Sequence, residues 1–307
     1  MLDEKAVKVI RIRARLLDIA RSWFNQNNYI EVQGPTIIPA VGDWPGSFEI
    51  KYFDRKAYLA QGLQPYATAF LAKLEKIYTI APTFRAERTS DQRHLTEYWR
   101  IEVAQQGGLD SVIRCEEELI AHICHVLSKE PAEMFSSFNR SPQDLATVKS
   151  PFPILTYDQA IGMLQKDGFK VSWGQKIHWE LEKHLSLKYN QPFFIRNFPI
   201  GVDTFFHKSD RKKPELTLSV DLLAPEGYGE ISSGMQMITE KDILSQKMGE
   251  AKIDFDDQQW YMRFMKDSSD VRSGFSIGLE RIVQWICKLQ NIKDATAFPR
   301  LYDNYSS

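Results

Sequence analysis

The segment from Phe84 to Glu97 restricts the fold of this chain more than any other stretch. It reads Phe84-Arg85-Ala86-Glu87-Arg88-Thr89-Ser90-Asp91-Gln92-Arg93-His94-Leu95-Thr96-Glu97. The apolar run Ile77-Tyr78-Thr79-Ile80 precedes it, and the strand-like run Tyr98-Trp99-Arg100-Ile101-Glu102-Val103 follows. This pattern predicts strand, polar loop, strand. Side chains two apart share a face, so Arg85 and Glu87 leave the first strand together, with Arg93 and His94 in the loop. An arginine fork beside a carboxylate, with further cations on a loop, suits a nucleoside triphosphate. The fork pairs with phosphate and the carboxylate accepts from an amino group. On charge alone, a solvated hairpin with surface ion pairs remains the alternative.

Composition narrows the class. The chain has 307 residues, is 43% hydrophobic and carries a formal charge of −1, values of a globular protein with a substantial core. No run of eighteen apolar residues and no charged-then-apolar leader occurs, so neither a membrane span nor a signal peptide is expected. Cys115, Cys124 and Cys287 lack metal-ligand spacing and read as buried thiols of a reducing cytoplasm. The balanced charge supplies no general pull toward nucleic acid, and no DNA partner is expected.

Periodicity orders the rest. Residues 5–27 predict an amphipathic helix with Val7, Ile10, Ala14, Leu17 and Phe24 on one stripe, followed by a strand at Tyr29–Gly34 that ends at Pro35. Strands are predicted at Tyr58–Gln61, Lys76–Phe84, Thr96–Gln105, Pro192–Pro199, Leu216–Leu223 and Gly229–Ile238. Asp110 is expected to cap a helix carrying Ile113, Ile120, Ile123 and Leu127. Residues 129–152 read as a connection. Thr156-Tyr157-Asp158-Gln159 reads as a capping box for a short helix ending near Gly168. Helices are also expected from Thr239 to Met248 and from Leu279 to Leu289. Successive strands with helices outside them imply an α+β fold around an antiparallel sheet, one domain spanning residues 1–307.

Together with Gly274-Phe275-Ser276-Ile277-Gly278-Leu279-Glu280-Arg281, the opening segment resembles motifs 2 and 3 of the class II aminoacyl-tRNA synthetases, most closely the aspartyl and asparaginyl branch. Motif 2 then spans about 76–105 and motif 3 about 274–300. The helix and strand over about 8–35 resemble motif 1, the element that forms homodimers in this class. Synthetases of this branch carry an N-terminal anticodon-binding β-barrel. Here the motif 1 helix begins within the first few residues, which implies a free-standing catalytic core.

The resemblance implies site residues. Arg85 would hold the α-phosphate of ATP and the reacting carboxylate, and Glu87 would read the adenine amino group. His94, with Arg93, would touch the γ-phosphate, and Arg281 would lie over the purine and terminal phosphates. Glu230 and Ser233, with Asp221 on the neighbouring strand, would bind Mg2+ together with phosphate oxygens, the hard ligands that this ion prefers. Asp43 and Gln64 would serve the α-ammonium of the amino acid, and Glu102 the ammonium or a side-chain amide. The likeness fails at three positions. Ala67 replaces the lysine of aspartyl enzymes, Met237 the arginine seven residues after the magnesium glutamate, and Ala104 a second acid. An arginine–carboxylate pair contributes roughly 1.5–3 kcal/mol, so its loss disfavours aspartate. These residues, with Trp44, imply a roomier, more apolar pocket for another amino acid, nonproteinogenic ones included.

The function expected is therefore an ATP-dependent ligase that forms an aminoacyl-adenylate and passes the acyl group to ammonia, an amine or a peptide. A truncated asparaginyl- or aspartyl-type synthetase that charges tRNA through its acceptor stem is the alternative. A silent regulatory paralogue is a third, against which Arg85, Glu87, Glu230 and Arg281 argue.

Overall fold

In the computed structural model, which describes residues 3–39, 46–63, 66–89, 91–202, 206–253, 255–265 and 270–304, the chain forms a helix-flanked sheet. The elements in order are α1 (Glu4–Gln26), β1 (Ile30–Glu31), β2 (Ile37–Ile38), β3 (Glu49–Tyr52), β4 (Arg55–Leu59) and α2 (Tyr66–Leu71). Next come β5 (Lys76–Phe84), β6 (Glu97–Gln106), α3 (Leu109–Leu127), α4 (Pro142–Leu145), β7 (Ile154–Thr156), α5 (Tyr157–Lys166) and α6 (Trp179–Ser186). The last are β8 (Phe193–Arg196), β9 (Ser219–Ala224), β10 (Gly229–Gln236), α7 (Lys241–Glu250), α8 (Phe255–Met262), β11 (Arg272–Gly278) and α9 (Leu279–Ile286).

The α+β class holds. Among the described residues the main sheet has the order β1-β5-β6-β11-β10-β9-β8-β7. Its centre is antiparallel, as expected, but both edges differ: β1 pairs with β5, and β7 with β8, in parallel. The short edge strands expose little unpaired backbone. The strand read at Tyr29–Gly34 shrinks to Ile30–Glu31, which pairs with Ile77 and Tyr78 alone. The hairpin of β5 and β6 runs in unbroken register from Lys76↔Gln105 to Phe84↔Glu97, so residues 85–96 form its tip.

Three local readings need correction. Asp110 does not cap α3. Gly108 occupies the N-cap, and Asp110 lies in the first turn, where it accepts from Arg196 Nη1 at 3.0 Å. The connection at 129–152 contains α4, capped by Ser141. The buried stripe of α1 is Val9, Ile12, Leu16, Ile19, Ala20 and Trp23, with Phe24 common to both readings. Apolar residues occupy two stripes of this helix, and periodicity alone does not say which faces the sheet. Thr156 and Gln159 form the expected reciprocal cap.

The main core lies between one sheet face and α1, α3 and α9. One carboxylate holds three of its parts together. Glu280 at the start of α9 is 2% exposed; its Oε1 accepts from Arg13 Nη1 on α1 at 2.6 Å, and its Oε2 accepts from the Trp99 backbone N–H on β6 at 3.0 Å. Burial pushes this carboxyl upward in pKa, against the Arg13 charge.

A second buried acid lacks such support. Glu116 on α3 is fully buried beneath Ser232 of β10, and burial pushes its carboxyl up to about 8. Between its unfolded value near 4.5 and about 8, the folded protein keeps a proton that the unfolded chain releases, so stability falls as pH rises. Glu116→Leu removes this cost. Thermal melts should show a raised Tm, with a gain larger at pH 8 than at pH 5.

Candidate active site

The face of the sheet opposite α3 carries the chemistry-bearing side chains. Strand alternation puts Arg100, Glu102 and Ala104 of β6 on this face. Across β11 they meet Gly278, Ser276 and Gly274. Long side chains opposite two glycines and a serine leave open floor, and all six residues line a cleft of about 620 Å³. Gly274 is required sterically, since a Cβ there would stand 2.5 Å from the Val103 carbonyl oxygen.

A bulge sets the acidic wall. Glu230 and Ser233 are three residues apart and would face opposite ways on a regular strand. The register of β10 against β9 shifts between Glu230 and Ser232, leaving Ile231 without a partner. Glu230 then pairs with Leu223, and Ser233 with Asp221, so the extra residue returns both to one face. Asp221, Glu230 and Ser233 all line the cleft. Among the described residues no three His, Cys, Asp or Glu side chains form a metal-binding group. Two carboxylates and a hydroxyl fit a hard cation whose remaining ligands are phosphate oxygens.

Cations surround Glu230. Arg281 Nη1 lies 3.0 Å from Glu230 Oε1. Arg93 is 4% exposed; its Nη1 donates to Glu182 Oε2 at 3.0 Å and its Nη2 to the Glu230 carbonyl oxygen. The guanidinium stacks 4.2 Å from the Trp179 ring. Burial and the Arg281 charge bring Arg93 down to about 10, which leaves it charged at neutral pH. Burial works to raise the Glu230 pKa, but Arg281, Arg93, Lys176 and Arg85 outweigh it and hold it below the usual carboxylate range. Burial and the Glu230 charge raise Glu182.

The hairpin tip is fixed by Asp91. Its Oδ1 accepts the Arg93 N–H at 2.7 Å and the His94 N–H at 2.9 Å, and Oδ2 lies 2.7 Å from His94 Nδ1. Arg85 lines the cleft and pairs with Glu87 at 3.4 Å, whereas Glu87 lies outside the lining.

At the other end, Ala67, Ala104 and Met237 fall into one apolar cluster with Val32, Leu63, Leu71 and Ile77. The three departures from the expected pattern are thus neighbours, and each lines the cleft. Glu102 stands beside them, 9% exposed. Its Oε2 accepts the Leu63 N–H at 3.0 Å, while its Oε1 has no hydrogen-bond partner among the described residues. Burial raises its pKa, opposed by Arg100. A Cβ on Gly62 would meet both oxygens at 3.0 Å.

Of the residues anticipated from sequence, the cleft gathers Arg85, Arg93, His94, Glu102, Ala67, Met237, Asp221, Glu230, Ser233 and Arg281. Asp43, Trp44 and Gln64 lie outside the described residues. The sequence reading missed Lys176, Trp179, Glu182 and His207, which also line it. No short motif marks them, because they reach the cleft from α6, its preceding loop and a lone bridge between His207 and Met237.

The family model for tRNA synthetases class II (D, K and N) matches residues 1–302. The asparagine–tRNA ligase of Pyrococcus abyssi is 38% identical over 304 residues, covering 96% of this chain and 69% of the relative. That of Thermococcus gammatolerans is 36% identical over 298 residues, with the same coverage. The crystal structure of asparaginyl-tRNA synthetase from Pyrococcus horikoshii complexed with asparaginyl-adenylate superposes with a TM-score of 0.92 at 34% identity. It covers 97% of this chain and 69% of that one.

Gly229 tests the clamp around Arg93. Its φ is +63°, and a Cβ would stand 2.6 Å from Arg93 Nη1, 2.9 Å from Glu182 Oε2 and 3.0 Å from Trp179. Gly229→Ala should lower stability by about 1–3 kcal/mol in urea titrations. Isothermal titration should show weaker ATP binding, because Arg93 then releases the Glu230 carbonyl.

Proposed function

We propose a function on one premise: this chain belongs to the class II tRNA synthetases of the D, K and N group and is an ATP-dependent amino-acid-activating ligase. In this reading the cleft forms an aminoacyl-adenylate. A carboxylate oxygen of the amino acid attacks the α-phosphorus of ATP in line, a P–O bond forms, and pyrophosphate leaves. The reactants repel one another, so the barrier falls most where cations neutralise and align them. Arg85 serves the α-phosphate and the attacking carboxylate, and Glu87 the adenine amino group. Arg281 and His94 serve the purine and terminal phosphates. Glu230, Ser233 and Asp221 would hold magnesium, which supplies charge neutralisation at the phosphates. Glu102 takes the α-ammonium, together with Asp43 and Gln64. Arg93 acts as a positioning residue, since Glu182 and Glu230 already occupy its fork.

The observation that carries this reading is the gathering of Arg85, Arg281, Glu230 and Ser233 from three separated segments into one cleft. Arg281→Ala tests it: ATP–pyrophosphate exchange should fall about hundredfold or more while circular dichroism shows the fold retained. An undiminished exchange rate would count against it.

The acceptor we propose is a small nucleophile (ammonia, an amine or a peptide). The near equality of 39 basic and 40 acidic residues supports it, because tRNA ligands favour basic surfaces. Charging of tRNA through the acceptor stem is the second reading, favoured by the likeness to asparagine–tRNA ligases. Aminoacylation of total tRNA separates the two: acid-stable acyl-tRNA with release of AMP overturns the first.

In the same reading the whole chain is one catalytic unit of a homodimer built on the motif 1 region. Ile30 in that region, and Val7 and Ile37 at its two ends, are exposed. Sedimentation of the purified chain should give a dimer, and Ile30→Asp should shift it toward monomer.

A further inference from the structure

Behind the apolar end of the cleft lies a buried cation with no part in the chemistry above. Arg272 opens β11 and is 3% exposed. Strand alternation puts it on the face of Gly274, Ser276 and Gly278, the three β11 residues that floor the cleft. Gln106 is its partner on β6, two positions beyond the Ala104↔Gly274 pair. The guanidinium reaches beneath α2, where Nη1 donates to the Thr68 carbonyl oxygen at 3.4 Å, one residue after Ala67. The Met237 N–H donates to the Arg272 carbonyl oxygen at 2.9 Å. Ala67, Ala104 and Met237 line the cleft beside these contacts, whereas Arg272 itself does not line it.

Arg272 is short of partners. Among the described residues no carboxylate lies within salt-bridge distance of it, and its Nε has no hydrogen-bond partner. A guanidinium has five donors and stays charged at any ordinary pH. Burying one without a counter-charge is expensive, and removing water from the neighbourhood raises that cost. The arrangement is accounted for if the missing acceptor arrives with the substrate.

We propose that Arg272 reads the side chain of the amino acid, and that the substrate is an α-amino acid whose apolar stem is longer than that of aspartate and ends in a carboxylate or carbonyl oxygen. This rests on the adenylate-forming reading above. Glu102, with its unpartnered Oε1, takes the α-ammonium at the near end. Ser276 opposite Glu102 and Arg272 are four residues apart on one strand, about 13 Å. Glu102 and Arg272 thus stand at the two ends of that row, and the stem of the bound amino acid would lie between them. Ala67, Ala104 and Met237 form an apolar collar around the stem. Gly274 makes room for the Met237 methyl, since a Cβ there would stand 3.0 Å from the Met237 Cε. The thioether is unbranched and flexible, so it can turn aside as the stem enters. The arginine absent at position 237 is in effect replaced by one deeper in the pocket, and the preferred substrate lengthens accordingly.

ATP–pyrophosphate exchange of the full chain with aspartate, asparagine, glutamate, glutamine, 2-aminoadipate and norleucine tests this. Glutamate, glutamine or 2-aminoadipate should give the highest kcat/KM. Arg272→Met should lower that value about ten- to hundredfold, leave the KM for ATP unchanged and raise relative exchange with norleucine. Preference of the unaltered protein for norleucine, aspartate or asparagine overturns the proposal while leaving adenylate formation standing. So does an unchanged ranking in Arg272→Met. If that variant fails to fold, the ranking of the unaltered protein decides alone. Absence of exchange with every member of a full amino-acid panel sinks adenylate formation itself, and this proposal with it.

Discussion

The buried carboxylate of Glu280 is the contact on which the rest of the molecule depends. One oxygen holds Arg13 of the first helix and the other holds the backbone of Trp99 in the motif 2 hairpin, while the residue itself begins the motif 3 helix. Three segments far apart in sequence are thereby fixed at one point. Removing either partner would leave an uncompensated charge in the core, which costs about 3–5 kcal/mol. The neighbouring residue is Arg281, so the same turn that locks the helices also aims a guanidinium across the sheet at Glu230. The frame and the chemistry share a single bend of chain.

The segments that we assign to the nucleotide could be located in the sequence because each is local. Phe84 to Glu97 and Gly274 to Arg281 are continuous, and the hairpin and the strand-to-helix turn that present them are short-range structures. What failed were features set by partners. Residues 230 and 233 share a face only because β10 bulges against β9, and no composition rule shows that Ile231 is skipped. The buried stripe of α1 was misread because the helix carries two apolar stripes, and tertiary packing decides between them. Asp110 has the chemistry of an N-cap, but Gly108 begins the helix and Arg196 draws the aspartate outward.

The amino-acid end shows the same division more sharply. Sequence identified Ala67, Ala104 and Met237 as departures, and the structure brings them together as one apolar wall. Read alone, that wall describes a greasy pocket. The guanidinium behind it changes the description, and it was invisible in sequence because Arg272 precedes the glycine-rich run and carries no motif of its own. Only the extent of β11, which begins at Arg272, shows that this residue continues the row Gly278, Ser276, Gly274. Loss of one arginine is a local fact; the presence of another, a strand away, is a property of the fold.

Charge accounting explains how such a cleft survives without its substrates. Arg93, Glu182, Glu230 and Arg281 alternate in sign around one point, so each buried charge has an opposite neighbour. Arg93 is the fixed member: it is stacked on Trp179, bonded to Glu182 and nearly excluded from water. Arg281 and Glu230 are the exchangeable pair, each partly open to the cleft. In the proposed reading, a polyanion that draws Arg281 away would leave Glu230 anionic beside Asp221 and Ser233, an oxygen set suited to a hard cation. Because Arg93 and Glu182 hold the backbone of Glu230 throughout, that exchange moves side chains and leaves the bulge in place. Preorganisation here means a rigid pair supporting a switching pair. The cost of aligning charges is met in folding rather than at the moment of reaction.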